Sequence, residues 1–508
     1  MSARLRFFTL VLAIALLALL GAAGRASAGY YTVTQCSSVT PFAEAAWEHS
    51  SDHYVARQLC GSDQGLQVFH NADDSGLGQY GAWVWRAPTG TVFTNVNANS
   101  SVTNQAGHRG GLFVTTTAGQ EVGFGEEHND FRFHSLDGEF TQFAAILRCT
   151  APGAGKPCGR AGSDSAHAYV RGVYLRTEDR SAPALSIAGG SLLDGEVIRG
   201  VRGLAFNASD TGGGIRKVSV VANGTELVTD IRNCAVADGF ATALSPCPLT
   251  TTESAAVPTA SAAFVTGPDN YVSACVEDLA TDGFPNRTCE TRQVWVDNAC
   301  PASSVGGGTA IAAGFGPGSA QAGIARSDHA AVLYGAVAGA GAGATVCALS
   351  QVSGGPITVD ATTTTAADGS YVLRLPPGPS REVFVHYVVG DTVHAHHGLA
   401  LTSAVRPSLA VKPTHAVRNH DRLYFTGQLP GPACADRVVK VQAKLGKKRW
   451  QVFRTDRTDG GCRFAARYKL RATQNARRYR FRALVPQSEG YPFERGASQT
   501  VKVKVRRR

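Results

Sequence analysis

The stretch Arg477-Arg478-Tyr479-Arg480-Phe481-Arg482-Ala483-Leu484-Val485 decides the fold class, because apolar and basic residues alternate along most of it. Side chains switch faces at every residue of a β-strand, so one face fills a core and the other meets solvent. The same alternation occurs in 439–444, 463–470 and 501–506. We therefore predict a β-sandwich over residues 405–508, with an apolar interior and a basic exterior.

The basic side of these four strands forms a predicted anion-binding surface. Its ten members are Lys440, Lys444, Arg463, Arg467, Lys469, Arg478, Arg480, Arg482, Lys502 and Lys504. Residues 401–508 hold 26 Lys plus Arg against 6 Asp plus Glu, whereas the whole 508-residue chain has a net charge of +10. The rest of the chain is therefore acidic overall. A positive field of this kind steers anionic polymers over about 8 Å at physiological salt.

Three roles for this charge remain open at the level of sequence. The basic residues solvate the outer faces of an exported sandwich, or bind an anionic cell-wall polymer, lipopolysaccharide or nucleic acid, or contact the acidic domains of neighbouring copies. Nucleic acid is disfavoured, because only Trp450, Tyr468 and Tyr479 interleave with the charges. The two tyrosines fall on the apolar face, where they cannot stack on bases.

The N-terminal residues predict export. Arg4 and Arg6 precede an apolar run over 7–23, and Ala26-Ser27-Ala28 supplies the small residues that signal peptidase needs, so we expect 1–28 to be a cleaved signal peptide. No later run is apolar over the 18 or more residues that a membrane helix needs. We therefore expect a secreted, extracellular monomer without a membrane span, either released or held on the cell wall by charge.

Composition predicts an all-β chain. Its 57 Gly, its single Met and the lack of any long amphipathic helical period favour short strands and many turns. At roughly 100–200 residues per domain, the mature chain corresponds to three or four domains. We expect tandem β-sandwiches over 29–180, 181–299, 328–404 and 405–508, with a Gly/Ala/Ser-rich linker over 300–327.

The twelve cysteines predict disulfides rather than metal sites, because their number is even in an exported chain and no Cys-x-x-Cys occurs. Sequential pairing is the simplest connectivity, since each pair then falls within one expected domain. The predicted pairs are Cys36–Cys60, Cys149–Cys158, Cys234–Cys247, Cys275–Cys289, Cys300–Cys347 and Cys434–Cys462. No free thiolate is then left for nucleophilic chemistry.

Two of the expected domains carry motifs of known modules. Ala208-Ser209-Asp210 with its Gly-rich turn, followed by a strand and Asn223-Gly224, resembles bacterial immunoglobulin-like modules. Ala367-Asp368-Gly369-Ser370-Tyr371, between strands, resembles the carboxypeptidase-regulatory-like, prealbumin-type sandwich, a module without catalytic residues of its own. The aromatic-rich first domain is similar to concanavalin-like jelly rolls. These resemblances imply exported bacterial surface proteins.

The first domain holds the candidate ligand-binding residues. It contains three of the five Trp and half of the fourteen His, among them Trp83, Trp85 and His128. Trp83 and Trp85 are two residues apart in a strand-like stretch and therefore share one face. If exposed, they form a platform for a sugar ring; if buried, they belong to the core. Of these two alternatives burial is favoured, because large aromatic side chains dominate the energetics of sandwich cores.

The same domain contains the only candidate catalytic carboxylates, Glu126, Glu127 and Asp130. A retaining glycoside hydrolase needs two carboxyls about 5 Å apart, which neighbouring strand positions on one face can supply. The strand signature Glu-x-Asp-x-x-Glu of jelly-roll glucanases is absent, so a Ca²⁺ site and a solvated strand and loop stay open as alternatives. We interpret His394-Ala395-His396-His397 as a polar interdomain loop rather than a metal site, because no carboxylate or Cys lies nearby in the sequence.

Taken together, the residues favour a non-catalytic binding or structural protein of the bacterial envelope, without a cofactor. Its partner would be a glycan or an anionic envelope polymer. Two alternatives stay open: a secreted polysaccharide-degrading glycoside hydrolase that uses the first-domain carboxylates, and a purely structural spacer.

Overall fold

The chain is all-β, as the alternation predicts. The computed structural model describes residues 29–71, 75–105, 107–125, 127–150, 158–159, 166–316, 320–413, 417–471 and 477–506. These residues form 36 strands and no helix, so none of their segments is a membrane-spanning helix. The predicted signal peptide and Glu126 lie outside the described residues.

Contacts divide the chain into two compact units. Unit 1 comprises Met1–Ser191, Gly203–Val257 and Tyr271–Arg292, and unit 2 comprises Leu192–Arg202, Pro258–Asn270 and Gln293–Arg508.

One large sheet dominates the first part of the chain. Its strands within this part are β1 (Gly29–Gln35), β2 (Ala46–His49), β3 (Tyr54–Leu59), β4 (Gly65–His70), β5 (Tyr80–Arg86), β6 (Thr91–Thr103), β7 (His108–Thr116), β8 (Glu121–Phe124), β9 (His128–Cys149) and β10 (His167–Asp179). The main path runs β1-β10-β6-β9-β5-β2, with β3, β4, β7 and β8 attached beside it. Trp85, Phe93, Phe143 and Leu147 are fully buried and form the centre of its core.

Residues 181–299 form further short strands. These are β11 (Ala184–Gly189), β12 (Val201–Ser209), β13 (Ile215–Ala222), β14 (Thr225–Ile231), β15 (Val236–Ala237), β16 (Phe240–Ala241), β17 (Thr250–Pro258), β18 (Gly267–Asp278) and β19 (Arg287–Val296). Seven of them make a three-stranded sheet, β11-β12-β17, and a four-stranded sheet, β14-β13-β18-β19, while β15 and β16 extend the large first sheet through β1.

Residues 300–404 form a third group of strands within unit 2. These are β20 (Ala310–Phe315), β21 (Ala322–Arg326), β22 (Ala331–Ala338), β23 (Thr345–Gln351), β24 (Thr358–Thr364), β25 (Ser370–Leu375), β26 (Arg381–Val389) and β27 (Thr392–Ala404). The sheets β20-β22-β25 and β21-β27-β26-β23-β24 enclose one core, which includes Leu333, Leu373 and Tyr387.

Two sequence predictions need correction here. The 300–327 stretch, predicted as a linker, contains β20 and β21, because small residues allow close strand pairing although they carry little hydrophobic signal. The stretch 394–397, predicted as an interdomain loop, lies inside β27 and pairs with β26.

The last strands also belong to unit 2. They are β28 (Ala410–Lys412), β29 (Val417–Arg418), β30 (Arg422–Gln428), β31 (Val438–Leu445), β32 (Gln451–Arg457), β33 (Arg463–Lys469), β34 (Arg477–Val485), β35 (Gly496–Ala497) and β36 (Val501–Arg506). A three-stranded sheet, β28-β30-β33, and a six-stranded sheet, β29-β36-β34-β31-β32 with β35 beside β34, share one core. Phe425, Phe481 and Val505 are fully buried within it.

All six predicted disulfides are confirmed: Cys36–Cys60, Cys149–Cys158, Cys234–Cys247, Cys275–Cys289, Cys300–Cys347 and Cys434–Cys462. No described cysteine is left as a free thiol. Six bridges indicate that the chain folds in an oxidising environment outside the cytoplasm.

Candidate anionic-polymer site

The six-stranded sheet turns one face to the core and one to solvent. In β34, Phe481 is fully buried while Arg480 is exposed, and in β36, Val503 is buried while Lys502 is exposed. The period-two alternation in the sequence therefore places the basic side chains outward. Seven of the ten predicted basic residues lie on this outer surface, which we call the cationic face: Lys440, Lys444, Arg478, Arg480, Arg482, Lys502 and Lys504.

Strand register arranges these cations in rows. Lys444, Arg480 and Lys502 are directly opposite one another on three neighbouring strands, and Arg478 is opposite Lys504 in the next row. Neighbouring strands are about 4.8 Å apart, and successive residues on one face of a strand are about 6.7 Å apart. The cationic face is therefore a regular grid of positive charge rather than a scatter of single residues.

An aromatic side chain lies beside one edge of this grid. The guanidinium of Arg482 lies 4.3 Å from the ring centroid of Trp450, and the ammonium of Lys444 lies 5.9 Å from it. Arg482 also donates from Nε to Gln442 Oε1 at 2.7 Å. Burial lowers the pKa of Arg482, and nearby Arg495 lowers it further. These contacts orient the guanidinium on the surface of the sheet.

Within the described residues, no carboxylate neutralises the charges of the cationic face. In the described part of the chain, none of the seven side chains lies within 4.0 Å of a carboxylate oxygen. Arg457, on the edge strand β32, differs, because its Nη1 lies 2.9 Å from Asp436 Oδ2. The seven cations are thus available to an anion from outside.

The other three predicted basic residues lie elsewhere. Arg463, Arg467 and Lys469 are in β33 of the three-stranded sheet, where Lys469 is opposite Arg422. The ten basic residues, predicted to form one anion-binding surface, therefore lie on two different sheets. Alternation reveals which side chains point outward, but it does not reveal to which sheet a strand belongs.

Sequence reasoning did not assign Arg418, Arg506 or Trp450 to the cationic face. Arg418 in β29 pairs in parallel register with Arg506 of β36, and both are exposed. A strand of two residues has no alternation to detect, so no local signal for Arg418 existed. Trp450 precedes β32, and only the fold shows that it contacts Arg482 of β34.

Trp83 and Trp85 take the buried alternative rather than forming an exposed sugar platform. Trp85 is fully buried and stacks on Phe143 with ring centroids 5.0 Å apart, and Trp83 is only 8% exposed. Trp83 Nε1 donates to the Gln67 carbonyl at 3.1 Å. His128 is also buried, with its Nε2 2.6 Å from the Ser100 carbonyl oxygen. These three residues stabilise the core, because large rings contribute most when they are removed from water.

The described carboxylates of this domain each have a local partner. Glu127 accepts hydrogen bonds from the backbone and side-chain nitrogens of Asn104 at 2.8 and 3.2 Å. Asp130 accepts from Arg132 Nε at 3.2 Å and is exposed. Of the three catalytic candidates, these two therefore have roles in local structure.

A polar cavity of about 520 Å³ lies elsewhere in the first domain. Its lining includes Ser37, Ser38, Cys36, Cys60, Asp63, Asn99, Arg171, Gly172 and Tyr174. The Cys36–Cys60 disulfide forms one part of the cavity wall. A bulge in β10 between Arg171 and Tyr174 forms a second part. Gly172 makes this bulge possible with a φ of 59°, and its N–H donates to the Cys36 carbonyl at 2.7 Å. Bulges of this kind re-aim side chains at functional sites.

Two lining side chains show the chemistry of the cavity. Arg171 donates from Nη1 to the Asp63 carbonyl at 2.6 Å and lies 4.0 Å from the ring centroid of Phe131. Asn99 Oδ1 is buried and accepts no hydrogen bond from the described residues. The cavity thus offers a fixed guanidinium, while the Asn99 amide oxygen is buried in its wall.

Comparison with known proteins adds no family. No family model matches the chain, and no curated protein sequence matches it. Two solved structures that are similar to parts of it are of marsupial T cell receptors. One is 9% identical, covering 64% of this chain and 100% of that chain with a TM-score of 0.16; the other is 10% identical, covering 64% and 99% with a TM-score of 0.14. At these TM-scores the similarity carries no argument about function.

Proposed function

We propose that this protein is an exported, non-catalytic binding protein that attaches to an anionic polymer of the bacterial envelope through the cationic face. The observation that carries this proposal is the row Lys444, Arg480 and Lys502, in which three like charges stand directly opposite one another and no carboxylate of the described residues pairs with them. Like charges directly opposite across strands destabilise a sheet. A polymer that brings closely spaced anions would offset this cost.

The chemistry of the face suits repeated phosphate or carboxylate groups. Arginine presents a planar fork of N–H donors that binds either anion in a bidentate manner, and lysine supplies point charges around it. Release of counterions from the polymer makes such binding strongly dependent on salt. The predicted signal peptide and the six disulfides support a location outside the cytoplasm, where envelope polymers are found.

The test compares two variants of the full chain with equal charge change. The first is Arg478→Gln, Arg480→Gln and Lys502→Gln on the cationic face; the control is Arg463→Gln, Arg467→Gln and Lys469→Gln on the three-stranded sheet. Samples are eluted by salt from immobilised poly(glycerol phosphate) and from immobilised polyglutamate. We expect the first variant to elute at clearly lower salt than the wild type and the control to elute near it.

Two results contradict the proposal. Elution of the wild type below roughly 100 mM salt means that attraction is too weak to hold the protein on a polymer. Equal loss of retention in both variants means that net charge, and not the arrangement of the cationic face, governs binding.

A second candidate function, glycan binding, is favoured by the polar cavity of the first domain. Its volume is within the range of small-ligand sites, and its guanidinium, carboxylate, hydroxyl and amide groups match the donors and acceptors of a sugar. A glycan array should show binding that Arg171→Gln abolishes. Arg176→Gln is the matched control, because Arg176 lies on the same strand but contacts Tyr30 outside the cavity.

The same samples test the hydrolase alternative. Release of reducing ends from a bound polysaccharide, lost in Glu126→Gln or Asp130→Asn, would replace the non-catalytic proposal with an enzymatic one. Binding without release of reducing ends supports a lectin-like role for the first domain.

A further inference from the structure

Four titratable side chains from separate parts of unit 2 form one continuous chain of contacts. Asp297 follows β19, His386 lies in β26, His397 lies in β27, and Glu196 lies in the segment 192–200. Asp297 and His386 are fully buried, His397 has a side-chain exposure of 19%, and Glu196 is mostly exposed. The chain therefore runs from the interior of the unit to its surface.

Three short contacts connect these side chains. His386 Nδ1 lies 2.8 Å from Asp297 Oδ2, and His386 Nε2 lies 3.0 Å from His397 Nε2. His397 Nδ1 lies 2.9 Å from Glu196 Oε1. Every ring nitrogen of both histidines thus has a partner within hydrogen-bond distance.

Counting hydrogens shows how many protons this arrangement holds. A carboxylate only accepts, so both Nδ1 atoms must carry hydrogen. Between the two Nε2 atoms one nitrogen must donate and the other accept. The three hydrogen bonds therefore require three N–H groups on four ring nitrogens, which is one more than two neutral imidazoles possess. The intact chain contains one imidazolium, shared between His386 and His397.

Two features of the surroundings stabilise this extra positive charge. Burial alone would raise the pKa of Asp297, but hydrogen bonds from His386 and from the backbone N–H groups of Cys300 and Ala299 hold that pKa below its usual range. Trp295 stacks on His397 with ring centroids 5.4 Å apart and meets His386 edge-on at 5.0 Å. An ionised carboxylate and an aromatic face both stabilise an imidazolium.

A metal ion fits this geometry poorly. The ring centroids of His386 and His397 lie 5.3 Å apart, which matches an in-line contact of the two Nε2 atoms at 3.0 Å. A tetrahedral ion bound at about 2.0–2.1 Å to both nitrogens would lie off the line that joins them, with both lone pairs directed at it, whereas these two nitrogens point at each other. Cys300 lies close to Asp297 and His386, but its sulfur is bonded to Cys347. A proton fits the observed spacing.

We propose that Asp297, His386, His397 and Glu196 bind one shared proton and act as an acid-closed latch that holds the segment 192–202 against β26 and β27. When the proton leaves, one of two contacts is lost. Either the Nε2 atoms of His386 and His397 have no hydrogen between them, or Nδ1 of His397 has no hydrogen to donate to the Glu196 carboxylate. The buried Asp297 contact is retained. The exposed Glu196 end is therefore the part that opens.

One further histidine and two arginines lie around the latch. His396 is the remaining titratable neighbour on β27, and its Nε2 is buried without a hydrogen-bond partner in the described part of the chain. Arg199 donates to the Cys300 carbonyl, and Arg202 donates to the Asp391 carbonyl in the turn after β26. These neutral acceptors keep both guanidinium groups in place in either state. The segment thus opens at Glu196 while its other anchors remain.

The direction of the pH response follows from His397. Burial lowers the pKa of His397, His386 lowers it further, and Glu196 raises it. The shared proton is therefore bound in mildly acidic solution and lost as the pH rises towards neutrality. An exported protein meets such changes of pH outside the cell, whereas the cytoplasm is buffered.

The test measures the shared hydrogen bond directly in the full chain labelled with ¹⁵N-histidine. A nitrogen–nitrogen coupling between His386 Nε2 and His397 Nε2 should appear at mildly acidic pH and vanish above neutral pH. Over the same interval the protection factors of the amides next to Glu196, which correct for the base-catalysed rise in intrinsic exchange, should fall at least tenfold. Glu196→Gln keeps an acceptor for His397 but removes the charge, so it should shift both transitions to lower pH without unfolding the protein.

The control is His394→Gln, because His394 lies on the same strand but stacks on Tyr387 outside the latch. We expect it to leave both transitions unchanged. The proposal is overturned if no nitrogen–nitrogen coupling appears at any pH, or if the protection factors next to Glu196 are independent of pH. It is also overturned if equimolar Zn²⁺ or Cu²⁺ replaces the coupling and protects 192–202 at neutral pH, since the two histidines would then form a metal site.

Discussion

Arg480 of β34 stands directly opposite Lys502 of β36, and both side chains face solvent without a carboxylate in reach among the described residues. Two like charges in this position weaken the sheet, because their Cβ atoms are only about 5 Å apart. The two facing cations therefore lower the stability of the sheet but strengthen its attraction for an anionic polymer.

Lys502→Glu should separate these two effects. An opposite charge facing Arg480 is expected to raise the free energy of unfolding by about 0.5–1 kcal/mol, while it weakens retention on an anionic polymer. Urea unfolding and salt elution measure the two quantities on the same sample. Lys502→Gln is the control, with a smaller change in each. A variant that loses both stability and retention would contradict the proposed balance.

Trp450→Ala should weaken polymer binding without changing net charge. The substitution removes the ring against which Arg482 is oriented, so the guanidinium loses a contact of about 0.5–1 kcal/mol and becomes more mobile. We expect elution from poly(glycerol phosphate) at lower salt. Trp450→Phe retains a ring and should behave more like the wild type. Equal retention of the alanine variant and the wild type would show that the ring does not contribute.

Asp278 in unit 1 should make stability depend on pH. Burial, together with the nearby Asp179 carboxylate, raises the pKa of Asp278 to about 8, from an ordinary value of 3.8. The folded chain therefore retains a proton that the unfolded chain releases between about pH 4 and 8. Within this interval the free energy of unfolding should fall as pH rises, by up to about 1.4 kcal/mol per pH unit.

The measurement is the thermal midpoint of the full chain between pH 5 and 9. Asp278→Asn retains an acceptor for the Asn286 backbone N–H, which lies 2.8 Å from Asp278 Oδ1, and should show a flatter dependence than the wild type. Identical pH dependence of the two proteins would mean that Asp278 is not the responsible group.

The Cys300–Cys347 disulfide should contribute more to stability than Cys149–Cys158. It closes 47 residues rather than 9, and the loop-entropy model gives about 4 kcal/mol for the longer loop and about 2.6 kcal/mol for the shorter. Paired Cys→Ala variants of each bridge, compared by thermal midpoint, test this order. The reverse order would show that native packing around the bridge, and not loop length, determines its contribution.

Local sequence patterns predicted the structural features that depend on residues close together in the chain. The alternation of Phe481 with Arg480 and Arg482 identified a strand and its exposed side, because strand geometry repeats every two residues. The sequential disulfides were predictable for a similar reason, since each pair lies within a short stretch of chain. The 300–327 stretch was misjudged, because small residues carry no hydrophobic period even when they form β20 and β21.

The candidate sites were harder to predict, since they depend on contacts between distant residues. Nothing in the sequence around 394–397 indicates that Asp297 and Glu196 lie at the two ends of a histidine pair. Burial of Trp83 and Trp85 was favoured but not fixed by the sequence, because an aromatic pair on one face of a strand has the same pattern in a core and on a platform.

The sequence by itself determined the all-β class, the six disulfides and the outward direction of the basic side chains, because strand period and loop closure act over short distances along the chain. Only the tertiary structure decided which basic residues share one sheet and which carboxylates meet His386 and His397. Those relations depend on strand order and register, which bring together residues that are separated by up to about two hundred positions.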